Sequence, residues 1–190
     1  ANGTVSTDDA TATLERMAAG DTLMLHLEIP AESVERALVM AKEKGVTSII
    51  NIAPLTKDAA RLGRMADIVI ANETEFELLA GREGLSSEAR IEAMQSLSRE
   101  TGQTVIVTLG AEGVVAVRNG NVHRAKGLKI EPVDTVGAGD TFCGYLAASL
   151  DAGLDFDKAL RRAAVAGSLA CLKAGAQPAI PEAAEVDARA

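Results

Sequence analysis

Asp134-Thr135-Val136-Gly137-Ala138-Gly139-Asp140-Thr141-Phe142 is the stretch whose reading decides the fold. It lies between an extended segment and a helix-forming run in which Phe142, Leu146, Ser149 and Leu150 recur at helical spacing. Gly137 and Gly139 leave the backbone open to a close ligand. The first helical turn then points unpaired N–H groups and the positive dipole end above those glycines. Such a mouth binds anions, most commonly phosphate. Asp140 is the odd member, because a carboxylate repels an anion in the same place. Two readings stand. Asp140 is a helix N-terminal carboxylate favoured by the dipole, or it takes a proton from a hydroxyl that attacks a phosphorus held by the amides.

On either side, strand and helix patterns alternate. Thr7 reads as the cap of a helix through Ala19 that Gly20 ends. Thr22–Glu28 is a mostly apolar strand, and its continuous apolar run suits a strand covered on both faces. A helix over 32–44 turns Val34, Leu38 and Ala41 inward and stops at Gly45. Strand 46–51, a short helix over 57–62 and strand 67–71 follow. Helices are expected over 73–79 and over 87–100, the second capped by Ser86 and stopped by Gly102. Strand 104–108 leads into the Gly110 turn, and Asn119-Gly120 between 114–117 and 122–125 signals a two-residue hairpin. A last long helix over 157–173 carries Leu160, Ala163, Ala164, Gly167 and Ala170, a small-residue face that should pack closely. The alternation predicts an α/β fold in three layers, a mainly parallel sheet with helices on both faces, in one domain spanning 1–190. In such sheets ligands gather beyond the carboxyl ends of the strands, where Glu28, Asn51, Asn72, Thr108 and the central glycines fall.

The 190 residues suffice for one core, which must be filled by Ala, Leu, Val and Ile, since aromatic residues are 2 % and Trp is absent. A net charge of -8, with no Lys/Arg cluster, argues against nucleic-acid binding. A phosphate site here has to be built locally, from amides and a metal ion. No apolar run reaches membrane-spanning length and no signal peptide is read, so no membrane partner and a cytoplasmic location are expected. Cys143 and Cys171 lack metal spacing and read as core thiols of a reducing compartment. His26 and His123 show no partner pattern, and structural roles are expected for both. The chain opens Ala1-Asn2-Gly3 without Met and reads as though it begins mid-protein.

Asp134–Phe142 resembles the C-terminal signature of the ribokinase-like (PfkB) carbohydrate kinases. Asn51-Ile52-Ala53-Pro54, Asn72-Glu73-Thr74-Glu75 and Val107-Thr108-Leu109-Gly110-Ala111-Glu112-Gly113 follow the family's order, and Lys173-Ala174-Gly175-Ala176-Gln177-Pro178 is similar to its ribokinase branch. The resemblance implies ATP-dependent phosphorylation of a sugar hydroxyl, of ribose or a related sugar. Asp140 is then the base, and Gly137, Ala138 and Gly139 form the anion hole. It implies a nucleotide contact at Asn72, a water-mediated hold on Mg²⁺ by Glu75, and a nucleotide-bordering loop of Thr108, Leu109, Gly110, Ala111, Glu112 and Gly113, with Gly139 and Asp140 at the phosphates. Asn72 and Glu75 also fit a plain capping box, and the 108–113 stretch an ordinary turn. Glu28 matches a sugar contact, beside Asp140, although a Glu closing a strand is most often simply solvated.

The ribokinase branch also implies a K⁺ site from Asp134 and the carbonyls of Val136, Ala170, Lys173 and Gly175. Ala179 stands where a hydroxyl is usual, and Ala164 where a larger polar residue borders the adenine. Family members carry an N-terminal portion, with most sugar contacts and a lid that often forms a dimer interface, before the point where this sequence begins. The expectation is therefore the C-terminal, nucleotide-binding part of a sugar kinase, truncated at its N-terminus, with an open sheet edge that invites self-association into a homo-oligomer. The alternatives are a kinase of the same superfamily acting on a nucleoside or fructose, and a catalytically silent nucleotide-binding fragment.

Overall fold

A computed structural model describes residues 2–190. Among them are six strands, β1 (Thr22–His26), β2 (Thr47–Asn51), β3 (Ile68–Asn72), β4 (Thr104–Thr108), β5 (Val114–Arg118) and β6 (Asn121–Ala125). The α-helices are α1 (Thr7–Glu15), α2 (Ala31–Lys44), α3 (Ala59–Gly63), α4 (Glu73–Ala80), α5 (Ser87–Thr101), α6 (Ala138–Asp151), α7 (Phe156–Ala170) and α8 (Ala183–Asp187). The strands form one sheet in the order β1-β2-β3-β4-β5-β6. This is the expected α/β fold. By contacts the chain divides into two compact units, one of residues up to Val107 with Ala116–Val122, the other of Thr108–Val115 with His123–Ala190.

In the first unit β1, β2 and β3 run parallel, with Met24 opposite Ile49 and Ile50 opposite Val69. Helical crossovers make this pairing possible, because parallel neighbours cannot be joined by a tight turn. Ile49, Ile50, Val69, Ile106 and Val107 are fully buried, which explains their unbroken apolar runs. Each such Ile or Val stabilises the fold by about 1.5–3 kcal/mol through burial. Gly45, Gly81 and Gly102 end α2, α4 and α5 in the left-handed conformation, as their positions predict.

In the second unit α6 lies on α7. A Cβ at Gly167 would stand 3.2 Å from the Ala138 carbonyl oxygen and 3.5 Å from the Phe142 Cβ, so the small-residue face does allow close packing. Leu146, Leu160, Ala163 and Val165 are fully buried there. Asn119 (φ 51°) and Gly120 (φ 78°) both take positive φ, the backbone that a two-residue hairpin between β5 and β6 requires.

Three expectations need correction. Helix α1 ends at Glu15, not Ala19, because Asp21 turns back to accept the Ala18 N–H at 2.8 Å and closes a turn before Gly20. Its cap is Ser6, whose hydroxyl accepts the Asp9 N–H while Asp9 accepts the Ser6 N–H, a reciprocal box. Strand β1 stops at His26 and stands at one end of the sheet, with Met24 36 % exposed, so it is an edge and not a strand covered on both faces. Helix α7 spans 156–170 and stops short of Lys173, because the Cys171 carbonyl turns to accept the Val133 N–H (2.8 Å) and the Asp134 N–H (3.3 Å).

Candidate functional site

Gly137 is the N-cap of α6, at φ 77°, and no side chain caps this helix. That is unusual, since Ser, Thr, Asn or Asp normally takes up one of the free amides. The Ala138 N–H bonds weakly to the Thr135 carbonyl at 3.3 Å, and the Thr141 N–H closes onto Gly137 at 2.9 Å. The Gly139 and Asp140 amides occupy the first-turn positions that helix geometry leaves without an intrahelical partner. Both residues are exposed, and the space where a Gly139 Cβ would stand is open. At this helix start the open positions are therefore Gly139 and Asp140, whereas Gly137 has a close neighbour. A Cβ on Gly137 would meet the Cα and Cβ of Ala176 at 3.0 Å.

That contact belongs to a second element, the loop after α7. Gly175 donates its N–H to Asp134 Oδ2 at 2.9 Å, and Val136 donates to Asp134 Oδ1 at 3.0 Å. The Gly175, Val136 and Thr135 amides, in that order, hold the Asp134 carboxyl below the usual aspartate range. Through Asp134 and the Cys171 carbonyl, the segment 171–175 is fastened to the segment leading into the glycines. Among the residues expected to surround K⁺, Asp134, Val136 and Gly175 are thus tied together directly. Ala170 is buried at the end of α7 and Lys173 is exposed in the loop.

Asp140 opens into a cleft of about 480 Å³. Gly137, Thr141, Gly144, Tyr145 and Ala148 of α6 and its cap form one side, and Arg162, Ala176, Gln177, Ile180 and Ala183 the other. The Thr141 hydroxyl is buried and has no partner. The sequence reading found Asp140 but missed Thr141, Tyr145, Arg162 and Ile180. Thr141, Gly144, Tyr145 and Ala148 do sit at helical spacing from Asp140, but small and mixed residues give no chemical signal by themselves.

The other predicted residues take definite places. Asn72 caps α4: its Oδ1 accepts the Glu75 N–H at 2.9 Å, and Glu75 Oε2 accepts the Asn72 N–H at 2.8 Å. Both belong to the first unit, at the carboxyl end of β3, and Glu75 is buried. Glu28, also in the first unit, is exposed beyond β1 and accepts from the Asn2 amide at 3.0 Å. Its own N–H reaches the His26 Nδ1 at 3.3 Å. Thr108–Gly113 belongs to the second unit with the glycine stretch. There Leu109 donates to the Gly113 carbonyl at 2.8 Å, around a single 3-10 turn of Gly110–Glu112. Gly110 (φ 54°) faces open space, whereas a Cβ on Gly113 would collide with the Ala125 carbonyl. Ala164 is buried, and its carbonyl accepts the Ser168 hydroxyl. His123 pairs with Asp157 at 2.7 Å and stands edge-on to Phe156. No helix among the described residues is long and apolar enough to cross a membrane.

Comparison with known proteins identifies the family. The profile described as pfkB family carbohydrate kinase matches residues 8–183. The chain is 36% identical over 166 residues to the ribokinase of Haemophilus influenzae, covering 87% of this chain and 54% of that protein. Its fold superposes on the ribokinase of Thermotoga maritima with a TM-score of 0.83 and 29% identity, over 99% of this chain and 62% of the other. It superposes on an Arabidopsis thaliana ribokinase complexed with ribose and ATP with a TM-score of 0.84 and 29% identity, over 96% and 58%. The chain thus spans between a half and two thirds of the length of these proteins.

Proposed function

We propose, because the chain belongs to the pfkB family of carbohydrate kinases, that it carries the phosphoryl-transfer part of an ATP-dependent sugar kinase, with ribose or a related pentose as acceptor. One observation carries this reading: a helix start that no side chain caps, open at Gly139, beside Asp140, which lines an adjoining cleft. The complex of the Arabidopsis relative with ribose and ATP supports the choice of substrates.

In this reading the Gly139 and Asp140 amides receive the oxygens of the transferring phosphoryl group, with Gly137 and Ala138 setting the turn that aims them. The acceptor hydroxyl gives its proton to the Asp140 carboxylate as its oxygen bonds to the γ-phosphorus. The bond from that phosphorus to the β-bridging oxygen breaks, and ADP leaves. In the second unit Thr108–Gly113 would border the nucleotide; in the first, Asn72 is taken as a nucleotide contact and Glu28 as an acceptor of sugar hydrogen bonds. Glu75 would hold Mg²⁺ through water, and the ion would supply charge neutralisation at the phosphates. One carboxylate suffices for an ion that keeps most of its waters. Asp134 and the carbonyls of Val136, Ala170, Lys173 and Gly175 would hold K⁺.

The test is calorimetry of the chain with ATP–Mg²⁺, followed by an ADP-release assay with pentoses and hexoses. Nucleotide binding is the expected result for this chain, and turnover on ribose or a related sugar for the intact protein that contains it. Asp140→Asn should then abolish nearly all turnover, a loss of at least 100-fold for a missing base, while nucleotide affinity stays within about twofold. Retained turnover in that variant would refute the role given to Asp140. Binding without turnover on any acceptor would leave a nucleotide-binding fragment.

A further inference from the structure

The loop that packs on the glycine mouth is clamped at its far end, by two residues without an assigned role. Gly175 is tied to Asp134, and Ala176 fills the space beside Gly137. From there the chain makes one 3-10 turn, Gln177–Ala179, closed by the Ile180 N–H on the Gln177 carbonyl at 3.2 Å. Ala179 is fully buried beneath it. The next carbonyl but one, that of Pro181, accepts the Tyr145 hydroxyl at 2.6 Å. Tyr145 stands on α6, five residues after Asp140. The helix that carries the proposed base thus also holds the end of the loop against which its own cap is packed.

Arg162 of α7 completes the clamp. Its guanidinium lies 5.0 Å from the Tyr145 ring centroid and so fixes the ring's face. Its NH1 donates to the Ser149 hydroxyl at 3.1 Å, and its Nε to Asp187 Oδ1 of α8 at 2.6 Å. The Ser149 hydroxyl in turn donates to the Tyr145 carbonyl at 2.6 Å. The Arg162 side chain is only 17% exposed and Ser149 is buried, so the bond between them is sheltered from competing water, whereas Asp187 is exposed. Tyr145, Arg162, Ala176 and Ile180 all wall the Asp140 cleft.

We propose that Tyr145 and Arg162 are positioning residues for the phosphate mouth. By fastening Pro181 and α8 to α6 and α7, they hold segment 175–181 against Gly137 and keep the Gly139 and Asp140 amides aimed at one point. The inference rests on the phosphate-site reading above. In this inference each acts through the loop it fastens, and not by contact with the phosphate.

Two measurements test it on the whole chain, amide hydrogen exchange without ligand and calorimetric ADP–Mg²⁺ affinity. Tyr145→Phe removes the hydroxyl and leaves the ring under Arg162. It should raise exchange at Gly175 and across 176–180 at least tenfold, leave the amides of α7 unchanged, and weaken ADP–Mg²⁺ binding about fivefold. Arg162→Lys, which keeps the charge on Asp187 but loses the planar stack and the second donor, should act in the same direction. Lowered stability alone would not change the affinity of molecules that remain folded. Unchanged affinity in both variants, or faster exchange spread evenly through α6 and α7, would overturn the clamp. Failure of the unaltered chain to bind ADP–Mg²⁺ would instead overturn the phosphate site on which the clamp depends.

Discussion

The two glycines of the central stretch look equivalent in sequence and are opposite in structure. Gly137 needs its φ of 77° and has Ala176 at 3.0 Å from where a Cβ would be. Gly139 has ordinary helical backbone and nothing within 4 Å of that point. Gly137→Ala should therefore cost about 1–2 kcal/mol from the left-handed backbone alone, with more from the clash, seen as a lower Tm. Gly139→Ala should leave stability unchanged or raise it by about 0.5–1 kcal/mol, as Ala replaces Gly within a helix. Its methyl group nevertheless enters the mouth, so ADP–Mg²⁺ affinity should fall at least tenfold by calorimetry. A Gly139→Ala chain that bound nucleotide normally would remove the phosphate from this mouth. Asp134 makes a prediction in pH. Its folded pKa is depressed by the Gly175 and Val136 amides, so its contribution is complete above the ordinary aspartate value. That contribution disappears as pH falls through the lower folded value, below about pH 4. The Gly175 amide resonance should shift through that acid range, and Asp134→Asn should abolish the shift.

At the level of elements, the α4 cap separates two uses of one carboxylate. Glu75 accepts the Asn72 N–H and so closes a capping box, whatever else it does. Glu75→Ala should cost about 1 kcal/mol, the usual worth of a cap. Glu75→Gln keeps the acceptor, and Gln serves in such boxes, so stability should hold. If Glu75 also holds Mg²⁺ through water, the same Gln variant should lose most of the Mg²⁺ enhancement of ATP binding. Equal Mg²⁺ dependence in the two proteins would reduce Glu75 to a cap. Elements were legible in the sequence where one residue type had one use. Gly45, Gly81 and Gly102 could only end helices, and Asn119-Gly120 could only turn a hairpin. They were misread where the decisive bond was made by a side chain or carbonyl folded back from elsewhere. Asp21 ended α1 early, and the claim of Val133 and Asp134 on the Cys171 carbonyl ended α7. The candidate site divides in the same way. Asp140 and the glycines announced themselves, whereas Tyr145 and Arg162 matter through a hydroxyl, a ring face and a buried guanidinium that meet only after folding.

For the whole molecule, the sheet order leaves β1 at one end, and its apolar Met24 is 36 % exposed. A terminal strand presents backbone groups that another chain can pair with, and an apolar side chain beside them favours that pairing. Opposing this is a net charge of -8 at pH 7, which keeps copies apart over roughly the ~8 Å screening length of physiological salt. The sequence pI is about 4.8, so the repulsion fades as the solution is acidified toward that value. Sedimentation velocity should then show concentration-dependent association that grows from pH 7 toward pH 5. Met24→Lys should suppress it, because a Lys on an edge strand cannot be buried against a second strand. Adding one positive charge also lowers the net charge, which by itself would promote association, so the two effects have opposite signs. Val39→Lys separates them: it adds the same charge at 38 % exposure on α2, away from the edge. Association lost in Met24→Lys and kept in Val39→Lys would assign the contact to β1. Equal behaviour of the two variants would place it on another surface.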